Sequence, residues 1–327
     1  MRVAGPWPVP ASPAPALLLD TASLYYRSYF ALPETLVAPD GTPINAVRGV
    51  LDTVAAMVTA RGSARVIACW DDDWRPQWRV DLIPSYKTHR VADEAPGLEG
   101  TGGDVVEEVP DTLAPQVDLL RAILPALGVP VVGAPEAEAD DVIADLSAEL
   151  SGPVDIASGD RDLVQLVDER VTLLFTGGSS ASRGGKPWVT IGPQTAVERF
   201  GVTPIRYADL AILRGDPSDG LPGARGIGDK TAQALVSAYG DLHDILAAAQ
   251  DPSTGKPMTP AVRQRLLDAH EHLLDAERVV RLSHRPGRSF LSMEAPVSID
   301  EGLNMAEAWG VQASARRLIS ALQAVAE

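Results

Sequence analysis

Cysteine is almost absent from this sequence, which holds a single one, Cys69, among its 327 residues. One cysteine excludes an intrachain disulfide and suits a protein of a reducing compartment. Cys69 lies in the apolar run RVIACW, which predicts a buried strand. We therefore expect an inert core thiol and not a reactive nucleophile.

Long apolar runs are also missing. No stretch of about 18 or more apolar residues occurs, so a membrane-spanning helix is not expected. Residues 1–15 are rich in proline and alanine and lack both a strong basic region and a continuous apolar run. These features predict a disordered tail and not a signal peptide.

Positive charge is scarce, because 28 lysine and arginine residues stand against 44 aspartate and glutamate residues, for a net charge of −16. This balance disfavours a protein that coats nucleic acid through bulk positive charge. It does not exclude an enzyme that acts on nucleic acid, since such an enzyme needs only local basic patches. An acidic metal site would itself lower the net charge.

Apolar runs that end in charge alternate with helical patterns through the first half of the chain. Buried strands are predicted at 16–20, 65–71, 129–133 and 153–160, and helices at 21–31, 45–61, 112–127 and 137–150. This alternation predicts an α/β fold whose mostly parallel central sheet is covered by helices. Ligands bind beyond the carboxyl ends of such strands. The pattern places Asp20, Asp71 and Asp160 there.

The remaining segments predict connectors and helices. Segments 91–111 and 175–188 contain many glycines and predict flexible connectors, the second lying between two short strands. From about residue 192 to residue 325 the pattern is helical with short turns.

Acidic residues cluster near the predicted turns. EADD (138–141) puts three carboxylates into four residues, and GDRD and GDPSD add further pairs. Oxygen-only ligand sets suit Mg²⁺ or Mn²⁺, and two such ions roughly 3.5–4 Å apart are a recurring device for phosphodiester cleavage. We expect two ions among eight carboxylates: Asp20, Glu138, Asp140, Asp141, Asp160, Asp162, Asp216 and Asp219.

A helix-capping alternative stays open for residues 138–141. Acidic groups in a first helical turn satisfy free N–H groups and complement the helix dipole. Asp162 could likewise be an ordinary first-turn residue. The alternative weakens where several acidic clusters fall at strand ends, but the sequence does not establish that they converge.

A glycine-rich turn forms a second signal. In LPGARGIGDKTA, Gly223, Gly226 and Gly228 precede a predicted amphipathic helix that begins near Lys230. Glycine lets a backbone approach a phosphate closely, and the N–H groups of a helix start point towards it. This pattern predicts a helix–hairpin–helix that grips duplex backbone without reading bases. The alternative is a plain turn between packed helices.

A basic and aromatic segment at residues 70–90 forms a third signal. It interleaves four cations, Arg75, Arg79, Lys87 and Arg90, with three aromatic residues, Trp74, Trp78 and Tyr86. A surface that threads a single strand needs both charge for phosphates and rings for stacked bases. Lys87 and Arg90 are expected to share a helix face. The alternative is a solvated face whose aromatic residues anchor it to the core.

Together these motifs resemble those of the structure-specific 5′ nucleases, which comprise flap endonucleases and the amino-terminal 5′ nuclease domain of bacterial DNA polymerase I. The resemblance runs from about Leu17 to Tyr239. LLLDTASLYYRSYFAL resembles the first metal motif of the family, EAEADD and GDRD its acidic motifs, and SYKTHR its helical gateway. The glycine hairpin resembles the duplex-binding element.

The resemblance implies roles for the matching residues. Metal ligands would be the eight carboxylates and Asp71, whose neighbours Asp72 and Asp73 stay open as alternatives because the local spacing departs from the family pattern. Lys87, Arg90 and Arg27 would act on the substrate phosphates in catalysis. The DNA-binding residues would be Arg79, Tyr86, Gly223, Gly226, Gly228, Lys230 and Thr231. Gly220 stands where asparagine is usual in the family.

The resemblance also implies a domain organisation. A PIN-like α/β nuclease core would span 16–190, with an arch and gateway at about 72–110. A helical lobe with C-terminal helices would span 191–327 and carry a helix–hairpin–helix-type element at about 205–240. The cofactors would be two divalent ions, Mg²⁺ or Mn²⁺, with K⁺ at the hairpin.

The expected activity is that of a free-standing, metal-dependent 5′-3′ exonuclease and flap endonuclease. Its partners would be DNA with 5′ flaps, nicks or free 5′ ends, and RNA–DNA hybrids, but no membrane. We expect a monomer in the bacterial cytoplasm, near the nucleoid, that removes RNA primers and flaps in replication and repair. Two alternatives are a catalytically inert relative that binds branched DNA and an RNA-directed nuclease of PIN-like fold. The full carboxylate set argues against the first, and the hairpin against the second.

Overall fold

The computed structural model describes residues 14–91, 109–177, 187–285, 287–293 and 298–326. Most of the predicted tail and most of the two predicted connectors lie outside these ranges. Cys69 is buried, as predicted, and burial raises the pKa of its thiol. Among the helices of the described ranges, none has the length and apolar character that a bilayer crossing requires.

A central sheet of seven strands runs through the described part of the chain, in the order β6-β5-β4-β1-β2-β3-β9. These strands are β1 (Ala16–Asp20), β2 (Arg65–Cys69), β3 (Val131–Gly133), β4 (Val154–Ser158), β5 (Val171–Phe175), β6 (Val189–Ile191) and β9 (Leu291–Met293). The five inner strands are parallel, and both edge strands are antiparallel. The predicted mostly parallel sheet is confirmed.

The helical pattern predicted after residue 192 is present, but three short strands interrupt it in the described part of the chain. A small antiparallel hairpin joins β7 (Gly215–Asp216) to β8 (Leu221–Pro222), and β9 pairs with the edge strand β3. Runs of two or three residues are too short to show an alternating pattern, and the pairing of β9 depends on a partner far away in the chain.

The helices cover both faces of the sheet. They are α1 (Thr21–Ala31), α2 (Asn45–Arg61), α3 (Gln77–Leu82), α4 (Ala114–Ala126), α5 (Ala139–Glu149), α6 (Pro193–Phe200), α7 (Tyr207–Arg214), α8 (Asp229–Tyr239), α9 (Leu242–Gln250), α10 (Pro260–Asp268), α11 (His270–Val280), α12 (Ile299–Ala308) and α13 (Gln312–Ala326). The four helices predicted in the first half are present.

Two hydrophobic cores lie on opposite faces of the sheet. Successive side chains of a strand alternate in direction, so Leu18 packs in one core and Leu17 and Leu19 pack in the other. The first core includes side chains of α5 and α7–α11. The second includes those of α1, α2, α4, α12 and α13. The two C-terminal helices join this core by packing on α2 and α4. The domain boundary near residue 190 stays a prediction.

The parallel register brings the carboxyl ends of three strands side by side. Asp20 ends β1 and lies opposite Cys69, the last residue of β2, while Leu19 lies opposite Ala157 of β4. Asp71 and Asp160 each follow two residues after their strands end. The sheet therefore delivers the three strand-end aspartates to one edge.

Candidate active site

A pocket of about 230 Å³ opens at this edge of the sheet. Its acidic lining comes from four segments distant in sequence, namely β1, the turn after β2, the start of α5 and the turn after β4. Its lining residues are Asp20, Ala22, Ser23, Tyr26, Asp71, Trp74, Lys87, Arg90, Glu138, Ala139, Asp140, Gly159 and Asp160. Five of the predicted metal-binding carboxylates thus meet in one cavity together with two of the predicted catalytic cations.

Short hydrogen bonds fix the first carboxylate. Asp20 caps α1 by accepting the Ser23 N–H at 3.1 Å, and its second oxygen accepts the Ser158 hydroxyl. The Ser158 hydroxyl in turn accepts the Asp160 N–H at 2.8 Å. The ends of β1 and β4 are therefore linked through Ser158, and Asp20 is 5% exposed.

The start of α5 supplies two further carboxylates. Asp71 accepts the Ala139 N–H at 2.6 Å, which ties the turn after β2 to the first turn of α5. Glu138 precedes that turn and Asp140 lies within it. One strand end and one helix start, about 70 residues apart in sequence, hold these groups together.

Of three adjacent aspartates, it is Asp71 that lines the pocket. Asp72 forms an ion pair with Arg121 at 2.5 Å, and Asp73 accepts the Arg75 N–H at 3.3 Å. Asp72 and Asp73 are thus turned to other partners, and the role of Asp71 as a metal ligand stays a prediction. Asp71 is the one placed to act with the other carboxylates.

Burial and like charge raise the pKa values of the pocket carboxyls. Burial, reinforced by the charge on Asp71, raises the pKa of Asp20 to about 7. Burial, with the charges on Asp160 and Asp20, raises the pKa of Asp140 well above its ordinary range. The like charges in this pocket disfavour ionisation, and a bound cation would relieve the repulsion between the carboxylates.

A second acidic group borders the first. Asp162 and Asp219 line a small cavity with Glu138 and Asp140. Burial, followed by the charges on Asp160 and Asp219, raises the pKa of Asp162, and Asp216 contributes to the same shift. The carboxylates therefore form one continuous acidic region from Asp20 to Asp219.

Two cations partly neutralise this region. Lys87 Nζ lies 2.6 Å from Glu138 Oε2, and Arg90 Nη2 lies 2.8 Å from Asp219 Oδ1. The expected shared helix face is wrong, because Lys87 has a left-handed backbone (φ 49°) and only the 3₁₀ helix Thr88–Arg90 follows it. Both side chains nevertheless reach the pocket.

Asp141 departs from its predicted place as a ligand. Arg79 binds both of its oxygens, at 2.8 and 3.1 Å, and one oxygen also accepts the Glu138 N–H at 3.1 Å. Asp141 is absent from the lining of both acidic cavities. The helix-capping alternative thus describes Asp141 better than the metal-binding one.

Arg79 and Tyr86 are buried and engaged with other residues, and their DNA-binding role stays a prediction. They are 3% and 4% exposed, and the Tyr86 hydroxyl donates to Glu138 at 2.8 Å. Trp78 is also engaged, since Arg79 and Arg285 stack on its ring and its indole N–H donates to the Glu136 carbonyl oxygen. The anchoring alternative therefore holds for much of this segment, while Trp74 lines the pocket.

The glycine hairpin divides into a packed part and an open part. A Cβ on Gly223 would lie 2.3 Å from the backbone of Arg214 and Gly215, so this glycine is required by packing and not by a phosphate. A Cβ on Gly228, at the start of α8, would meet nothing within 4 Å. Lys230 beside it is exposed, and Thr231 is half-buried.

Gly220 allows a close approach between the gateway segment and the acidic loop. It has a φ of +67°, and a Cβ there would lie 2.1 Å from the Ser85 carbonyl oxygen. The Ser85 hydroxyl donates to the Gly220 carbonyl at 2.7 Å, and the Lys87 N–H donates to the Asp219 carbonyl at 2.9 Å. Glycine at position 220 therefore permits this close contact.

Ser23, Tyr26 and Ser158 are site residues that the sequence did not reveal. Ser23 and Tyr26 lie three and six residues after Asp20 on α1, a spacing that could have placed them on the same helix face. Arg27 lies beyond them, half-buried and outside the pocket lining. Its role in catalysis stays a prediction.

The donor set fits hard divalent ions, although its side chains are turned to other partners. Within the described ranges, no three His, Cys, Asp or Glu side chains are grouped closely enough to hold one ion as they stand. Glu138 bonds to Lys87 and Tyr86, Asp71 to a backbone N–H, and Asp20 to Ser158. Buried, oxygen-only and mutually repelling groups are nevertheless the chemistry that Mg²⁺ and Mn²⁺ require.

Family models match most of the chain. A 5′-3′ exonuclease N-terminal resolvase-like domain matches residues 15–201, and a 5′-3′ exonuclease C-terminal SAM fold matches residues 202–290. The chain belongs to the 5′-3′ exonuclease family. It is 46% identical over 323 residues to a 5′-3′ exonuclease of Streptomyces coelicolor, and the match covers 94% of this chain and all of that protein. The predicted nuclease class is confirmed.

Solved structures of low identity share the fold. The T5 5′-exonuclease with bound zinc has a TM-score of 0.61 at 18% identity, covering 95% of this chain and 99% of its own. Flap endonuclease-1 from Methanococcus jannaschii has a TM-score of 0.56 at 14% identity, covering 95% and 93%. The PIN-like resolvase fold with a helical C-terminal part is therefore confirmed for this 5′-3′ exonuclease family member.

Proposed function

We propose that this 5′-3′ exonuclease family member is a metal-dependent enzyme that cleaves the 5′ flaps and free 5′ ends of DNA. The observation that carries the proposal is the meeting of Asp20, Asp71, Glu138, Asp140 and Asp160 in one pocket, with Lys87 and Arg90 at the same cavity. Acidic groups alone would repel a nucleic acid. Metal cations would therefore have to offset the carboxylate charge before a substrate phosphate enters the pocket.

The residues that would hold two Mg²⁺ or Mn²⁺ ions are the pocket carboxylates and the adjoining Asp162, Asp216 and Asp219. Such ions would activate water and stabilise charge on the attacking and leaving oxygens. The divalent-ion requirement is supported by the donor chemistry and by the zinc-bound state of the similar T5 5′-exonuclease. K⁺ at the hairpin stays a prediction from the resemblance.

Each remaining part of the site handles the substrate. Lys87 and Arg90 would bind the scissile phosphate, since their ammonium and guanidinium groups lie beside the carboxylates. Trp74 and Tyr26 add aromatic walls to the pocket. Gly228 and Lys230, at the start of α8, would hold the duplex backbone.

The reaction is a hydrolysis. Water attacks the phosphorus and the bond from phosphorus to the 3′ oxygen breaks, so one product carries a 5′-phosphate and the other a 3′-hydroxyl. RNA primers and flaps left by replication and repair are suitable substrates. We further propose a monomer that acts in the bacterial cytoplasm near the nucleoid, where chromosomal DNA lies.

A labelled 5′-flap DNA tests the proposal directly. Wild-type protein with Mn²⁺ should release the flap, and chelator should stop release without abolishing binding. Asp71→Asn should bind the flap but not cut it. Binding with Mn²⁺ and with chelator, but cleavage in neither, would favour the inert relative. Faster cleavage of an RNA flap than of the DNA flap would favour the RNA-directed nuclease.

A further inference from the structure

Arg79 and Asp141 form a buried ion pair directly behind the acidic pocket. Arg79 Nη1 and Nη2 donate to the two Asp141 oxygens at 2.8 and 3.1 Å. The two residues are 3% and 6% exposed. Asp141 lines neither acidic cavity, and Arg79 reaches only the small cavity of about 20 Å³ that Asp162 and Asp219 also line.

Both Asp141 oxygens are already engaged. Oδ1 and Oδ2 each accept a hydrogen bond from the guanidinium, and Oδ2 also accepts the Glu138 N–H at 3.1 Å. A bidentate guanidinium pair fixes a carboxylate in both position and charge. Asp141 therefore holds the backbone N–H of Glu138 and does not line the cavity.

Arg79 also contacts the side chain of Glu138. Its Nη1 lies 3.5 Å from Glu138 Oε1, and its Nε donates to the Val279 carbonyl of α11 at 3.4 Å. Glu138 is thus held from behind by Arg79 and Asp141 while it lines the pocket. The same residue receives the Lys87 ammonium and the Tyr86 hydroxyl.

We propose that Arg79 and Asp141 are positioning residues, which orient Glu138 and the first turn of α5 towards the ions instead of binding metal or DNA themselves. The inference rests on the proposed function, and it removes Asp141 from the ligand set. Partners of this kind orient the groups that bind a metal, and their loss weakens metal affinity or activity about 10–100-fold.

Mn²⁺ binding to Asp141→Asn tests the assignment. The number of bound ions and their affinity are measured by calorimetry, alongside kcat, KM for flap DNA and Tm in chelator. We expect the same number of ions as in wild type, about 10–100-fold weaker binding or lower kcat, an unchanged KM and a lower Tm. Loss of one ion from the stoichiometry would overturn the proposal and restore Asp141 as a ligand.

Asp155→Asn is the matched control. Asp155 is 1% exposed and Arg61 binds both of its oxygens at 2.7 and 3.0 Å, but it lies at the start of β4, away from the strand ends. This variant should lower Tm and leave Mn²⁺ binding and kcat unchanged. If Asp141→Asn behaves in the same way, its role is structural only and the proposal fails.

The salt dependence of DNA binding tests Arg79. A phosphate contact contributes about one unit to the slope of log affinity against log salt. Arg79→Gln, which removes the charge, should keep the wild-type slope, because the guanidinium contacts Asp141 and Glu138 and not a phosphate. Arg79→Lys, which preserves the charge, should retain part of kcat. A slope reduced by about one unit would assign Arg79 to the DNA.

A double variant covers loss of folding in the single ones. Arg79→Met with Asp141→Leu removes both buried charges at once, which is tolerated better than removing one. It should still bind the wild-type number of Mn²⁺ ions, more weakly, whereas a ligand role for Asp141 predicts one ion fewer. Wild-type protein that neither binds Mn²⁺ nor cuts a flap would instead refute the proposed function.

Discussion

Lys87 and Glu138 form a nearly buried ion pair at the centre of the site, with Nζ 2.6 Å from Oε2 and the two residues 8% and 4% exposed. The lysine supplies the countercharge for a glutamate that also accepts the Tyr86 hydroxyl. A substrate phosphate or a cation entering the pocket would therefore compete for one member of this pair. The pair connects metal binding with phosphate binding.

Replacing Lys87 should affect turnover far more than duplex affinity. Lys87→Ala removes a preorganised positive charge from the pocket, so we expect kcat for a 5′-flap substrate to fall about a hundredfold or more. Single-turnover cleavage and equilibrium DNA binding are the measurements. Lys230→Ala is the control, because Lys230 is exposed on the hairpin and should weaken binding with little change in kcat. Equal losses of rate and affinity in Lys87→Ala would assign it to general binding.

Asp71 and Asp72 form a matched pair for the acidic site. Asp71→Asn should reduce cleavage at least about a hundredfold, since a bound ion contributes several kcal/mol to transition-state stabilisation. Asp72→Asn should retain cleavage, because Asp72 pairs with Arg121 and does not line the acidic pocket. Flap cleavage at saturating Mn²⁺ measures both. The reverse pattern would show that the wrong aspartate has been assigned to the ions.

Two glycines of the hairpin should respond differently to alanine. A Cβ on Gly223 collides with the backbone of Arg214 and Gly215, whereas one on Gly228 meets open space. Gly223→Ala should cost about 1–3 kcal/mol in free energy of unfolding. Gly228→Ala should keep the wild-type Tm and weaken duplex binding, because the methyl group obstructs a phosphate. Unchanged duplex affinity in Gly228→Ala would remove this turn from the DNA interface.

The metal-free protein should lose stability as pH rises. The folded-state pKa of Asp20, about 7, lies above its ordinary value of 3.8, so the folded chain keeps a proton that the unfolded chain releases. The resulting stabilisation is complete below about pH 4 and is lost as pH rises through about 7. Tm is measured in chelator at about pH 5 and about pH 8. The decrease in Tm between these two pH values should be smaller in Asp20→Asn than in wild type. The same decrease in Tm for the two proteins would show that Asp20 is not the source of the pH dependence.

Much of the fold and the outline of the site follow from local sequence patterns. The runs that end at Asp20 and just before Asp71 and Asp160 are strands, and parallel pairing brings their ends together whatever the intervening chain does. Strand β9 was not predicted, because three residues carry no periodic signal and its partner β3 lies far away in the chain.

The direction of each charged side chain was harder to predict. Arg79 in sequence resembles a solvated DNA-binding cation, but packing of α3 near α11, 200 residues away, buries it against Asp141. Asp141 follows Asp140 directly, and successive helical residues point in different directions, so only one of them faces the cavity. The sequence spacing predicted that an acidic cluster forms. Packing between distant segments determines which of its side chains face the cavity.

Crystals soaked in Mn²⁺ and measured at the manganese absorption edge test the central claim most directly. The account predicts two ions, held by oxygens of the group Asp20, Asp71, Glu138, Asp140, Asp160, Asp162, Asp216 and Asp219, with Asp141 still paired to Arg79. Ions bound elsewhere on the chain, or no ion in a pocket that remains folded and accessible, would contradict it.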